Sequence, residues 1–137
     1  MRRIERHYEL STVPAEGIAQ LHAALDTFWA EAEVTTDIQI RFGTALAEVV
    51  ANILQYAVTP GDAPIRLRLR CSPQRLEARV VDNGKAWAMP AATLMLPDDW
   101  EESGRGLAIA QAFLDTLQYR RLGNVNCWRL VLSATTD

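Results

Sequence analysis

The chain has 137 residues, 49% hydrophobic and 23% charged, enough for one compact domain with a real core. Its formal net charge of −3 argues against a protein that grips nucleic acid or an anionic membrane surface, and no apolar run is long enough to span a bilayer. Only two cysteines occur, Cys71 and Cys127, without metal-motif spacing, so they read as small core residues of a cytoplasmic protein.

The opening MRRIERHYEL lacks the apolar stretch of a secretory signal. It alternates instead, with Ile4, Tyr8 and Leu10 on one face, which predicts a half-buried strand. Ile18, Leu21, Leu25 and Phe28 then recur at helical spacing, with Pro14 near the first turn. A second helix opens at TTDIQ, where Thr36 and Gln39 have capping-box spacing. Its apolar stripe runs through Ile38, Phe42, Leu46, Val49 and Ile53 and ends near Ala57, before Pro60 and Gly61.

IRLRLRC sets Ile65, Leu67, Leu69 and Cys71 against Arg66, Arg68 and Arg70, and after a turn at SPQR the alternation continues through Leu76, Ala78 and Val80. The arginine row reads as the solvated face of a sheet, diluted by Glu77 and Asp82. Periodicity breaks down from Lys85 to Ser103. A third helix is expected from near Gly106, and QYRRL with VNCWRLVLS forms a closing hairpin through Gly123 and Asn124. Repeats and linkers are absent, so residues 1–137 are expected to be one domain. The order β-α-α-β-β-loop-α-β-β fits an α+β two-layer sandwich better than a doubly wound parallel sheet.

Three stretches carry candidate chemistry. In ALAEVVAN, Glu48 and Asn52 lie one helical turn apart on one face. In VVDNGKA, Asp82 ends a strand and Gly84 follows two residues later. In ESGRGLAIA, Gly104 and Gly106 stand where a helix begins, and amides at a helix N-terminus favour anions. Taken singly, these are a helix-edge pair, an Asx turn and a flexible cap.

Taken in order, they resemble the Bergerat-fold ATP-binding domains of gyrase, histidine kinases and heat-shock chaperones. Within that group the chain is most similar to the small bacterial anti-sigma factor serine kinases. ALAEVVANILQYA matches the N box, VVDNGKA the adenine box, and ESGRGLAIAQAFLDTLQY, including Asp115, the phosphate box and its helix. Tyr56 stands where the family often has histidine, and Ala86 where many relatives have glycine.

The resemblance implies a mixed, mostly antiparallel sheet with helices on one face, and ATP and Mg²⁺ as cofactors. It gives Asn52 the metal, Asp82 the adenine amino group, Gly84 the close approach of the base, and Gly104 and Gly106 the phosphates. Glu48 is the general base for a substrate serine or threonine hydroxyl. Residues from Lys85 to Ser103, with Trp87, Met89, Leu94, Met95 and Trp100, would form an ATP lid. The implied partner is a STAS-domain anti-sigma factor antagonist, with a sigma factor as a second partner and a homodimer as a further expectation. The alternative is an ATP-binding module that sequesters a partner without phosphorylating it. A sensor histidine kinase is disfavoured, because neither His7 nor His22 sits in a phospho-acceptor motif.

Overall fold

The computed structural model describes residues 3–87 and 102–134, the side chains of 102–104 excepted. The elements are β1 (Ile4–Leu10), α1 (Pro14–Glu31), α2 (Thr36–Asn52), a π-helical turn (Ile53–Ala57), β2 (Ile65–Cys71), β3 (Arg75–Asp82), α3 (Glu102–Phe113), β4 (Thr116–Leu122) and β5 (Val125–Ser133). The strands form one sheet in the order β1-β2-β3-β5-β4. Each of its four pairings is antiparallel, so the sheet is antiparallel throughout rather than mixed.

The period-two alternation of each strand sends one set of side chains inward. Leu67, Leu69, Leu76, Ala78, Val80, Leu130 and Leu132 pack there against Leu21, Leu25 and Phe28 of α1 and Phe42, Leu46 and Val49 of α2. Each large apolar side chain so buried contributes about 1.5–3 kcal/mol. Trp29 wedges edge-on between Phe28 and Phe42, at centroid distances of 5.7 and 6.3 Å, and locks α1 to α2. Cys71 faces inward and Cys127 outward on this sheet, and both are free thiols.

Helix starts differ from expectation by a few residues. Pro14 opens α1 as expected. The cap of α2 is Thr35, one residue before the expected Thr36. Thr35 is extended, so its hydroxyl reaches the Ile38 N–H at 3.3 Å, while the Gln39 side chain donates to the Val34 carbonyl. Helix α3 begins at Glu102 rather than near Gly106, which places Gly104 and Gly106 inside its first turns. At the hairpin tip, Gly123 has φ 61°, as the first position of a two-residue II′ turn requires.

The outer face of the sheet is not simply solvated. Glu77, only 5% exposed, lies beneath the arginine row. It accepts from Arg129 Nε at 2.5 Å and Arg70 Nη1 at 3.4 Å, with Arg79 Nε at 3.9 Å and Arg68 Nη2 at 4.0 Å. Asp82 does not dilute this row, because it shares the inward phase of Leu76, Ala78 and Val80. Burial pushes the Glu77 carboxyl up, but the Arg129 hydrogen bond and the charges of Arg129, Arg79 and Arg70 outweigh it and hold the group below the usual range.

A carboxylate with a depressed native pKa stabilises the fold above its unfolded pKa, and that stability is lost as pH falls through the native value. Glu77→Ala should therefore cost about 1–3 kcal/mol near neutral pH. The gap to the unaltered protein should shrink as pH drops below about 4. Urea unfolding across a pH series checks this, and a gap constant down to acid pH would show that charge is not its origin.

Candidate functional site

Asp82 has no solvent exposure at the end of β3, the central strand. Its Oδ1 accepts from the Gly84 N–H at 2.8 Å and from Asn126 Nδ2 at 2.9 Å. Its Oδ2 is buried without a partner among the described residues. Burial raises the carboxyl above its ordinary range, and the hydrogen bonds from Asn126 and Gly84 and the charge of Arg121 oppose this only in part.

Asn126 lies opposite Asp82 on β5 and uses its whole hydrogen-bonding capacity. Its Nδ2 also donates to the Lys85 carbonyl at 2.7 Å, and its Oδ1 accepts from Tyr119 Oη at 2.6 Å and Arg121 Nη1 at 3.0 Å. Arg121 Nη1 also reaches the Gly84 carbonyl at 2.7 Å, and Tyr119 Oη accepts from the Trp87 N–H at 2.8 Å. Trp128 packs against both Tyr119 and Trp87, at 4.9 and 6.0 Å between ring centroids.

The Gly84 loop rests on the end of the α2 segment. The Lys85 N–H donates to the Ala57 carbonyl at 2.9 Å, and a Cβ on Gly84 would run into that same carbonyl. Ala57 closes the π turn, in which the Val58 N–H bonds the Ile53 carbonyl five residues back at 3.1 Å. Turns of this kind are rare and concentrate at functional sites. Asn52 immediately precedes the turn, 5% exposed, and its Oδ1 also lacks a partner among the described residues.

Glu48, half-buried one turn earlier, lies against α3: a Cβ on Gly106 would strike its Oε2. Gly106 is four residues past Glu102, so its N–H belongs to the helix's own ladder. Its visible contribution is the close approach of α3 to Glu48, in place of the amide donation expected of it. Gly104 is still in the first turn, whose N–H groups find no partner within the helix's own ladder. Asp115 joins the end of α3 to β5, accepting from the Ser133 N–H at 2.7 Å while its own N–H bonds the Val131 carbonyl.

Helix α2 with its π extension is thus the hub. It touches the Asp82 loop through Ala57, α3 through Glu48, and carries Asn52 between them. Of the expected lid, residues 88–101 lie outside the described residues, Met89, Leu94, Met95 and Trp100 among them. Four buried polar side-chain atoms lack partners among the described residues: Tyr8 Oη, Asn52 Oδ1, Arg68 Nε and Asp82 Oδ2. Two of the four belong to residues singled out from sequence. No cluster of three His, Cys, Asp or Glu side chains forms a metal cage among the described residues. A divalent ion at Asn52 would need oxygens from elsewhere, as magnesium takes from water and phosphate.

Sequence reasoning missed Asn126, Tyr119, Arg121 and Ala57. One signal was available for Asn126: it holds an inward position in the alternation it shares with Trp128, Leu130 and Leu132. A polar residue in that phase needs buried partners.

Residues 12–132 match the histidine kinase-like ATPase domain family. The serine/threonine-protein kinase BtrW of Bordetella bronchiseptica is 32% identical over 108 residues, covering 73% of this chain and 70% of that protein. Among solved structures, the RsbU and RsbW domains of Rv1364c from Mycobacterium tuberculosis align with a TM-score of 0.64 at 18% identity, over 94% of this chain and 32% of that one. The Acinetobacter baumannii histidine kinase AdeS aligns at 0.53 and 16% identity, over 96% of this chain and 68% of that one. These two structural likenesses speak to the fold. No described helix is long and apolar enough to cross a membrane.

Gly84 and Gly106 should respond differently to alanine. At Gly84 the obstacle is backbone, which cannot swing away, so Gly84→Ala should destabilise by about 1–3 kcal/mol. At Gly106 the obstacle is the end of a flexible side chain, and alanine gains about 1 kcal/mol of helix propensity. Gly106→Ala should therefore stay within about 1 kcal/mol of the unaltered protein. Urea unfolding midpoints decide, and equal losses at both sites would contradict the packing described.

Proposed function

The chain belongs to the anti-sigma factor serine/threonine kinase family within the histidine kinase-like ATPases, and from that premise we propose that it is an ATP-dependent protein kinase. Its substrate would be a serine or threonine of a STAS-domain anti-sigma factor antagonist. It would act in the cytoplasm in a partner-switching system, as a homodimer and with a sigma factor as its second partner. The observation that carries the ATP site is the pair of buried oxygens without donors among the described residues, Asp82 Oδ2 and Asn52 Oδ1.

A buried acceptor left unmet costs about 1–3 kcal/mol, so each oxygen calls for a ligand group. Asp82 Oδ2 suits the amino group of adenine. Gly84 sits directly on the Ala57 carbonyl, with no room for a Cβ, and its N–H holds Asp82 Oδ1, which sets the carboxylate that a base would meet. Asn52 Oδ1 is a neutral oxygen of the kind a hard cation takes. Mg²⁺ held there would neutralise phosphate charge. The first turn of α3, at Gly104, would direct its N–H groups at phosphate.

Glu48 stands one turn from Asn52 on the same face of α2. In this role its carboxylate takes the proton of the incoming hydroxyl as the oxygen bonds to the γ-phosphorus and the bridging P–O bond breaks. Such transfers rest on positioning and charge neutralisation, which one carboxylate and one metal can supply.

The direct test is transfer of labelled phosphate from ATP to candidate STAS proteins. Binding of ATP and of a STAS partner without transfer would leave sequestration as the function. Asn52→Ala should weaken ATP binding in Mg²⁺ and flatten the difference between Mg²⁺ and EDTA. Calorimetric titration that retains the full magnesium effect would move the metal elsewhere.

Glu48→Gln keeps the side chain's shape and removes its basic oxygen. It should leave ATP binding near normal and slow phosphoryl transfer by about 10²–10⁴-fold. A folded variant that transfers at the normal rate would remove Glu48 from the base role.

A further inference from the structure

We propose that Asn126, pinned by Tyr119 and Arg121, is a positioning residue that holds Asp82 as an acceptor and so makes the site select 6-aminopurines over 6-oxopurines. This rests on the reading of Asp82 as the purine contact and adds what enforces its choice.

A carboxylate offers two oxygens, and only one is left for a ligand. Oδ1 is occupied by the Gly84 N–H and Asn126 Nδ2, whereas Oδ2 meets no donor among the described residues. Asn126 cannot turn its amide over. Its Oδ1 faces two donors, Tyr119 Oη and Arg121 Nη1, and its Nδ2 faces two acceptors, Asp82 Oδ1 and the Lys85 carbonyl. A flip would set N–H against donors and the amide oxygen against the carboxylate. Tyr119 is itself held, by the Trp87 N–H and by packing on Trp128. Among the described residues Asn126 has all its partners, and Asp82 Oδ2 remains an acceptor without a donor.

That acceptor discriminates only while it is ionised. Adenine presents an amino donor at carbon 6 and hypoxanthine a carbonyl, which an ionised carboxylate repels. A protonated carboxyl could donate to the carbonyl, and the preference would relax. The charged groups that act on Asp82 are Arg121 of β4, which favours ionisation, and Asp62 from the segment before β2, which opposes it. Burial opposes ionisation most, and the Asn126 hydrogen bond is the first force against burial. Removing that donor raises the Asp82 pKa further, so binding that needs the carboxylate fails at a higher pH than in the unaltered protein.

The experiment titrates ATP and inosine triphosphate, which differ at carbon 6 and in the hydrogen on the adjacent N1, into the unaltered protein, Asn126→Ala and Tyr119→Phe across pH 5.5 to 8. Near neutral pH, Asn126→Ala should lose roughly tenfold or more in ATP affinity. The loss should deepen as pH falls, and the ratio of ATP to inosine triphosphate affinity should narrow. Tyr119→Phe keeps the ring on Trp128 and deletes the hydroxyl, so it should move the same readouts less far, and it carries the test alone if Asn126→Ala does not fold. Folded variants with unchanged affinity, pH profile and nucleotide ratio would overturn the inference. A uniform loss for both nucleotides with no pH shift would also overturn it, since a merely structural role would do that. If the unaltered protein binds neither nucleotide, the ATP reading fails and the inference with it. If it prefers ATP and the variants match it, the inference alone fails.

Discussion

A carboxylate with no solvent exposure, at the end of the central strand, constrains most of what surrounds it. Burying an ionisable group is costly unless hydrogen bonds replace its water. Asp82 draws them from two directions: the Gly84 N–H in the loop that follows and the Asn126 amide on β5. The loop must turn back sharply to bring Gly84 to Oδ1, and this presses it on the Ala57 carbonyl. The end of the α2 segment then has to present that carbonyl, which the π turn at Ile53–Ala57 does. A requirement set by one side chain thus passes through a glycine into the shape of a helix end, and Asn52 is carried at its root.

Strand β3 carries two buried carboxylates on opposite faces, and their contrast separates scaffold from site. Glu77 and Asp82 both feel burial as the largest influence, pushing each up. Glu77 is met by guanidinium groups and ends below the ordinary range, whereas Asp82 is met mainly by neutral donors and ends above it. The first is fully engaged and fastens the outer sheet face. The second keeps one oxygen without a donor among the described residues. Perturbation alone would not distinguish them, since ion-pair networks shift pKa values as active sites do. The vacant oxygen does.

The elements that read clearly in the sequence were those with long, strict periodicity. The alternation of Ile65 to Cys71 and the stripe from Ile38 to Ile53 are core faces, and core burial dominates local preference. Helix ends read less well because caps depend on backbone angles: Thr35 and Thr36 are equivalent as residue types, and only the extended conformation at Thr35 chooses between them. The start of α3 was hidden by two glycines, which look like a loop until Glu48 is seen against Gly106. Asp82, Gly84, Asn52 and Glu48 were legible because their types and spacing form a pattern along the chain. Asn126, Tyr119 and Arg121 were not, because what joins them to Asp82 is strand pairing, and a one-residue change in register would send them to the other face.

The unfavourable features of this chain are not spread evenly. A glycine inside α3, a π turn, a buried asparagine oxygen and a buried carboxylate oxygen all gather around one end of α2. Away from that end the five strands pair in one antiparallel sheet and the core is continuous, with Tyr8 Oη and Arg68 Nε the other buried polar atoms without partners among the described residues. A mid-helix glycine costs about 0.5–1 kcal/mol, and each unmet buried acceptor about 1–3 kcal/mol. Costs of this size persist where the surrounding structure over-determines the conformation. A ligand that supplies a donor to Asp82 and a cation to Asn52 removes the two largest, and its binding then adds to the stability of the folded state in proportion to the logarithm of its concentration above Kd. Fold stability and site occupancy are thereby coupled through the same few atoms, and the direction of that coupling follows from which oxygens the fold leaves unmet.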